Sequence, residues 1–404
     1  MQQVQRSDAP GAQGLVAASG GLEILVVLLA ACLPLRPTLS GLPLSTMAAA
    51  LLVFMAAFRR PTAPGRTPRV AGLAFVALVL WMIGASSALH GLEVRRAGNL
   101  LILMALAWVL AQGRIHMPSL VAGLFLGWSG GILHAVLTRD ESTYDGRITG
   151  YLGDPNGAGF VIVTIGCLLV AYARGSGRTW WPIWAVAGGA VVLTVSRTSL
   201  FAFLAATLWA LVGPRLGRWA SVVAVVVAWP VYQLLVALAR DSGFFAERAG
   251  SDALRQRLAV VEGIMADQAG LLGLGLGTAK AVVDGAPLWF HNSYLALRVE
   301  GGLVAFALLG LCLLALFWSI HQVPAERRNV WYESAILAGL ICSLNIGFSL
   351  TSVSMAVAVG MYAHYWRQSV GDRGGGDDDG LSRVPVLASR VGTPAPHAPH
   401  PPPR

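Results

Sequence analysis

The chain has 404 residues, of which 55% are hydrophobic and only 12% charged. An ordinary soluble domain carries about 25% charged residues, so a single water-soluble core is excluded and lipid is the expected solvent. The net charge of +9 is almost wholly arginine, with Lys280 the only lysine; scattered through short loops and forming no basic stripe, these arginines argue against nucleic-acid binding.

In chain order, residues 1–14 are polar and read as a cytoplasmic N-terminal segment. The first apolar run begins near Leu15 without a basic region and cleavage site in the right order, so it is expected to remain as a span. A helix crosses hydrocarbon with about 20 apolar residues. Such runs recur near 15–34, 41–58, 70–88, 98–113, 118–137, 157–173, 181–196, 198–213, 219–239, 294–318, 331–349 and 351–366. The expected fold is an all-α polytopic membrane protein of about 12 transmembrane helices. Its transmembrane domain covers 15–366, with a large loop at about 240–293 between spans 9 and 10. The 181–213 pair is also open to drawing as a re-entrant hairpin. Residues 367–404 are rich in Gly, Asp and Pro and read as a disordered cytoplasmic tail, in which His397 and His400 are not metal ligands.

Arginine in short loops orients the spans. "RRPTAPGRTPR" from Arg59, "RGSGR" from Arg174, "PRLGR" from Pro214 and "ERR" from Glu326 share one side, taken as cytoplasmic. Cys32, Cys167, Cys312 and Cys342 all lie in apolar runs without metal-ligand spacing, so packing is their expected role. Neither a metal nor another cofactor is expected.

Polar chemistry gathers in four places on the opposite side. In "RITGYLGDPNGAGF", from Arg147, Asp154-Pro155-Asn156-Gly157 is a turn and helix start. It is either a cap alone or, with Arg147, Asp154 and Asn156, the lining of a polar pocket. In "TVSRTSL", Arg197 lies among about thirty apolar residues, where a charge at mid-span costs roughly 2.5–3.5 kcal/mol. It either snorkels from a tight turn or is paired for function. The segment from Glu247 to Gly277 reads as an amphipathic helix lying on the membrane, with Leu254, Leu258, Val261, Ile264 and Met265 on one side and Arg248, Arg255 and Arg257 near its start. It ends in Gly273, Gly275 and Gly277, a flexible hinge or a weak phosphate-loop signal. Finally, "HNSYLALRVEGG" places His291 and Asn292 where the tenth span begins, with Tyr294 and Arg298 four apart on one face and Glu300 available to an arginine of a neighbouring span. Convergent guanidinium groups suit a diphosphate, and a nearby imidazole can take a proton from an attacking hydroxyl.

The order and spacing of "GDPN" (Gly153 to Asn156), "SRT" (Ser196 to Thr198), the arginine-led segment at Arg255 or Arg257, "GLGLG" (Gly273 to Gly277) and "HNSYLALRVEGG" (His291 to Gly302) resemble the O-antigen ligase and O-antigen polymerase superfamily of bacterial membrane glycosyltransferases. The resemblance covers about residues 145–320. It implies a GT-C-like fold in the bacterial cytoplasmic (inner) membrane, with the large loop between spans 9 and 10 as a periplasmic loop and an active site facing the periplasm. It implies an undecaprenyl-diphosphate-linked glycan donor, a glycolipid, glycan or protein acceptor, and no metal or nucleotide sugar. Carried over, His291 is the catalytic base and Arg197 with Arg255 or Arg257 grips the diphosphate, supported by Asp154, Asn156, Asn292, Tyr294, Arg298 and Glu300. The aromatic residue expected a turn after the loop arginine is absent, Ala259 or Val261 standing there, so the two arginines remain alternatives. Ligase and repeat-unit polymerase are not separated, and an anion transporter is the rival of a different class.

Overall fold

The computed structural model describes residues 42–62, 69–89, 93–139, 146–152, 154–240 and 249–371, together with residues 23, 26, 27, 38, 39, 91, 142 and 144. Twelve helices stand among them: α1 (Leu44–Ala57), α2 (Arg69–Leu89), α3 (Val94–Ala111), α4 (Met117–Leu137), α5 (Pro155–Gly175), α6 (Trp181–Thr194), α7 (Arg197–Val212), α8 (Arg218–Arg240), α9 (Ala249–Gln268), α10 (Ser293–Ile320), α11 (Val330–Cys342) and α12 (Val353–Gly371). Two short antiparallel pairs accompany them, β1 (Thr38–Leu39) with β2 (Leu42–Pro43) and β3 (Lys280–Val283) with β4 (Ala286–Trp289).

Six helices are long and apolar enough to cross a membrane, beginning at Val70, Val94, Met117, Pro155, Arg197 and Ser293, while α1, α6 and α11 are apolar but shorter. Eleven of the twelve expected spans coincide with helices; the segment at 15–34 lies almost wholly outside the described residues, as do the N-terminal segment and residues 372–404. The last helix runs on to Gly371, so the first part of the expected tail is helical. The 181–213 pair is two helices, α6 and α7, meeting at Val195 in a left-handed backbone conformation.

Helix α5 is the hub. Nearly every residue of it from Gly157 to Ala173 is buried, against α4, α6, α7, α11 and α12. Its sequence is small and apolar, so neighbours can pack close on all sides. Helix α10 lies chiefly against α2, and α12 against α3.

The segment before α10 departs from expectation. Helix α9 does not spend its apolar face on lipid: Leu258 and Ala266 are buried in a small core with Ala281 and Val283 of the hairpin and Phe290, Ala296 and Val299 around the start of α10. Leu254, Val261 and Met265 pack against that core, whereas Ile264 points away and is exposed. The physical reason is a partner that periodicity in α9 alone does not reveal. "VVDGAP" forms a hairpin whose Asp284 and Gly285 both adopt positive φ, as a two-residue type I′ turn requires.

The glycine run is neither hinge nor phosphate cradle. Helix α10 is broken at Gly302 (φ 72°, ψ −168°), and the run docks its backbone into the break. Leu274 N–H donates to Val299 O (2.7 Å), Gly275 N–H to Glu300 O (3.1 Å) and Leu303 N–H to Gly270 O (3.1 Å). Gly277 N–H donates to the Glu300 carboxylate (3.0 Å) and Leu276 N–H to the Ser86 hydroxyl (3.0 Å). The donors a phosphate would need are therefore already engaged.

Candidate functional site

Helices α3, α5, α7, α10 and α12 all begin at one end of the bundle, the end that carries α9 and the hairpin. Four of these starts are capped by side chains, α12 by the Ser352 hydroxyl, which accepts from Met355 N–H (3.2 Å). Asp154 accepts from the N–H groups of Asn156 (2.8 Å) and Gly157 (3.2 Å), Ser196 caps α7 at Ser199, and Asn292 accepts from Tyr294 (2.9 Å) and Leu295 (3.2 Å). Capping satisfies part of each helix start, and the positive dipole ends remain aimed at the same region.

The starts are stitched together. The Ser196 hydroxyl donates to the Asn156 side-chain oxygen (2.9 Å), joining α7 to α5. Arg147 donates to Thr194 O (2.8 Å) and holds the preceding loop on the end of α6. Arg197 is the first residue of α7. Beside it the Thr198 hydroxyl faces Tyr232 of α8 (3.4 Å), which also receives a hydrogen bond from Asn345. The neighbouring Ile346 carbonyl accepts from Ser293 (2.5 Å), and Ser293 N–H donates to Ser343 O (2.9 Å). Gly347 lies so near Phe290 that a Cβ there would strike the Phe290 carbonyl oxygen. A set of contacts thus runs from the Asp154 cap through Asn156, Ser196 and Thr198, which flank Arg197, to Tyr232, Asn345 and the turn bearing His291.

His291 is partly buried. Burial is the main cause holding its pKa below the usual histidine value; the positive charge of Arg255 pushes the same way, and Asp154 and the Trp289 backbone oppose them. Nδ1 of the ring is buried with no well-formed hydrogen bond. The ring is therefore biased toward the neutral, proton-accepting form, within reach of the charges of Arg255 and Asp154. Arg255 also acts on the Tyr232 side chain. Arg257, two residues on, turns outward to an exposed ion pair with Asp284 at the hairpin tip (3.0 Å). Of the two arginines left open by the sequence, Arg255 is the one on the histidine's side.

Not every expected residue joins this group. The Tyr294 hydroxyl donates to Leu340 O of α11 (2.8 Å). Arg298 donates to Ala266 O near the end of α9 (3.1 Å) and lies 3.8 Å from Asp267. Glu300 holds the glycine run and pairs with Arg96 of α3 (3.3 Å), the neighbouring-span arginine that its position called for. These three shape the scaffold around the turn. Among the described residues no group of three or more His, Cys, Asp or Glu side chains could hold a metal.

Glu262 was not singled out from the sequence. It is 2% exposed, and its carboxylate accepts the His291 N–H at 2.5 Å and the Asn292 N–H as well. A signal existed: Glu262 lies four residues after Leu258 and four before Ala266, a carboxylate inside an apolar helical stripe.

Beside Ser293 a cleft opens between α2, α3, α10 and α12, with about 1240 Å³ of empty space counting the open solvent at its mouth. Phe75, Leu78, Leu100, Leu103, Leu313 and Val359 line it, and Arg96 with Thr351 closes one end.

Comparison with known proteins adds no family: no family model matches the chain, and no curated protein matches it.

Proposed function

We propose that the chain transfers a glycan from an undecaprenyl-diphosphate carrier to an acceptor hydroxyl at the outer face of a bacterial cytoplasmic membrane. The observation that carries this reading is a partly buried His291 whose pKa is held down, chiefly by burial and further by the charge of Arg255, on a turn linked through Ser293–Ile346 and the neighbouring Asn345–Tyr232 bond to Thr198 at the helix start that bears Arg197. The opposite end of the bundle carries Arg59, Arg178, Arg218 and Arg328, an arginine bias that supports reading that end as the cytoplasmic one.

In this mechanism His291 removes the proton of the acceptor hydroxyl. The acceptor oxygen attacks the anomeric carbon, the bond from that carbon to the diphosphate oxygen breaks, and its electron pair leaves on the diphosphate. Arg197 and Arg255 stabilise that growing charge, helped by the helix starts around them. Attack opposite the leaving group inverts the anomeric configuration. Both lipid-linked reactants are confined to the membrane plane, which raises their effective concentration. A lipid-borne acceptor also has a place for its hydrocarbon, since the cleft opens beside the same turn; this favours a glycolipid acceptor or a second lipid-linked repeat unit, the polymerase variant.

The test is transfer from a lipid-linked glycan by the purified chain in nanodiscs. His291→Ala is expected to lower kcat by about 10²-fold or more, the range of general-base catalysis. Wild-type turnover in that variant removes His291 from the reaction. Growth of long glycans from lipid-linked units alone identifies polymerase activity. Accumulation of an anionic solute in proteoliposomes, with no transfer, replaces the proposal with transport.

A further inference from the structure

Arg255 and Glu262 are seven residues apart on α9 and so lie on the same face two turns from each other. Arg255 acts on the imidazole of His291, while Glu262 holds the backbone of the same turn, at His291 N–H and at Asn292 N–H. Besides apolar packing of Leu258 and Ala266 on Phe290, Ala296 and Val299, the described residues tie this region down by Phe290 N–H donating to Ala279 O (3.3 Å) at the base of the hairpin and by Arg298 reaching the far end of the helix at Ala266 O (3.1 Å). We infer that Glu262 is a positioning residue, fixing the register between the helix that brings Arg255 and the turn that brings His291. Its contribution to turnover rests on the transfer reading above; the register itself does not.

The chemistry of the contact makes it titrate. Burial raises the Glu262 pKa from the ordinary 4.5 to about 7, against the two N–H donors, which lower it. Among the side chains described, the charged and titratable groups on the elements around it are Arg255, Arg257 and Asp267 of α9, Lys280 and Asp284 of the hairpin, His291, Tyr294, Arg298 and Glu300 at the start of α10, and Asp154 at the start of α5. Arg257 is engaged with Asp284, Arg298 with Asp267, and Lys280 lies over Trp289. Arg255 and Asp154 act on the His291 ring, and none of these charges contributes to the Glu262 shift. A carboxyl whose folded value lies above its exposed value favours the docked state when protonated. That contribution is complete below 4.5 and is lost as pH rises through about 7. Docking of the turn on α9 is therefore tighter in acid than in alkali.

Glutamine at this position keeps the accepting oxygen and abolishes the titration, whereas alanine removes the tie. The experiment is hydrogen–deuterium exchange of the full chain in nanodiscs at about pH 5.5 and pH 8, corrected for intrinsic exchange, with donor kinetics on the same samples. In the wild type, protection of the His291 and Asn292 amides falls between the two pH values. Glu262→Gln removes that fall and keeps kcat near wild type. Glu262→Ala leaves the amides unprotected at both pH values and lowers kcat by about 10²-fold with little change in donor KM, the cost of a misplaced reacting group. Full protection of the turn in Glu262→Ala, a pH-independent wild type, or a glutamine variant as impaired as alanine overturns the inference. The wild-type pH comparison needs no variant, so misfolding of a mutant does not shield it. The expected exchange pattern without any transfer by the wild type supports the register and removes the transfer reading instead.

Discussion

Two residues apart on one helix, Arg255 and Arg257 sit in different surroundings, and the difference is measurable. The Arg257–Asp284 pair is more than half exposed on both partners, and exposed pairs contribute about 0–1 kcal/mol. Arg257→Gln is accordingly expected to change transfer less than about fivefold. On the proposed mechanism Arg255→Gln removes a charge-assisted contact with the diphosphate, with an expected loss of roughly 1.5–3 kcal/mol, or about 10- to 100-fold in kcat/KM. The same substitution has a second signature. Arg255 lowers the His291 pKa and Asp154 raises it, so the acid limb of the kcat/KM profile is expected to move to higher pH in Arg255→Gln and to lower pH in Asp154→Asn. Asparagine caps a helix about as well as aspartate, so the second variant changes the charge while keeping the start of α5. Shifts in the same direction for both variants would remove the histidine from the titration.

At the scale of elements, the break in α10 is the device that turns the outer segment back into the bundle. A Cβ at Gly302 would meet the Leu271 carbonyl, and its backbone conformation is one that other residues rarely hold. Gly302→Ala is expected to cost at least about 2 kcal/mol and to lower the thermal unfolding midpoint. Gly310→Ala, with open space around it in the same helix, is expected to be neutral or stabilising by up to about 1 kcal/mol. Equal effects of the two would mean that the break is not structurally required. Asp154-Pro155 and Asn292 could be read as helix starts because a cap is a local pattern, whereas Ser196 was legible only as part of a turn. The Asp284-Gly285 hairpin was equally local, yet the apolar surroundings of that segment masked it. The glycine run could not be assigned, since its partner is a helix break some thirty residues later. Nor could Arg255 be told from Arg257, because which face of α9 is inward depends on what packs against it.

For the whole molecule, every part of the reading assumes that the His291 end and the arginine-rich end lie on opposite sides of one membrane. The bundle supplies a physical basis for the asymmetry. At the far end Arg328 and Glu333 form a nearly buried pair (2.6 Å) that also holds Trp209 (2.9 Å) and the Gly213 carbonyl, while Ser176, between α5 and α6, stays exposed. At the near end the Asp284 side chain is 62% exposed at the hairpin tip. Replacing each of these two surface residues by cysteine separates the ends chemically. Cys167 and Cys342 are buried and Cys312 lies within apolar α10, and the unsubstituted chain sets the background. A membrane-impermeant maleimide added to intact spheroplasts is expected to label Asp284→Cys at once and Ser176→Cys only after lysis. The arginine asymmetry alone would predict this orientation; the lipid-carrier chemistry requires it, because a glycan displayed outside the cell membrane can be transferred only by groups on that side. Labelling of Ser176→Cys in intact cells, with Asp284→Cys protected, would put Arg255 and His291 in the cytoplasm and end the case for this donor.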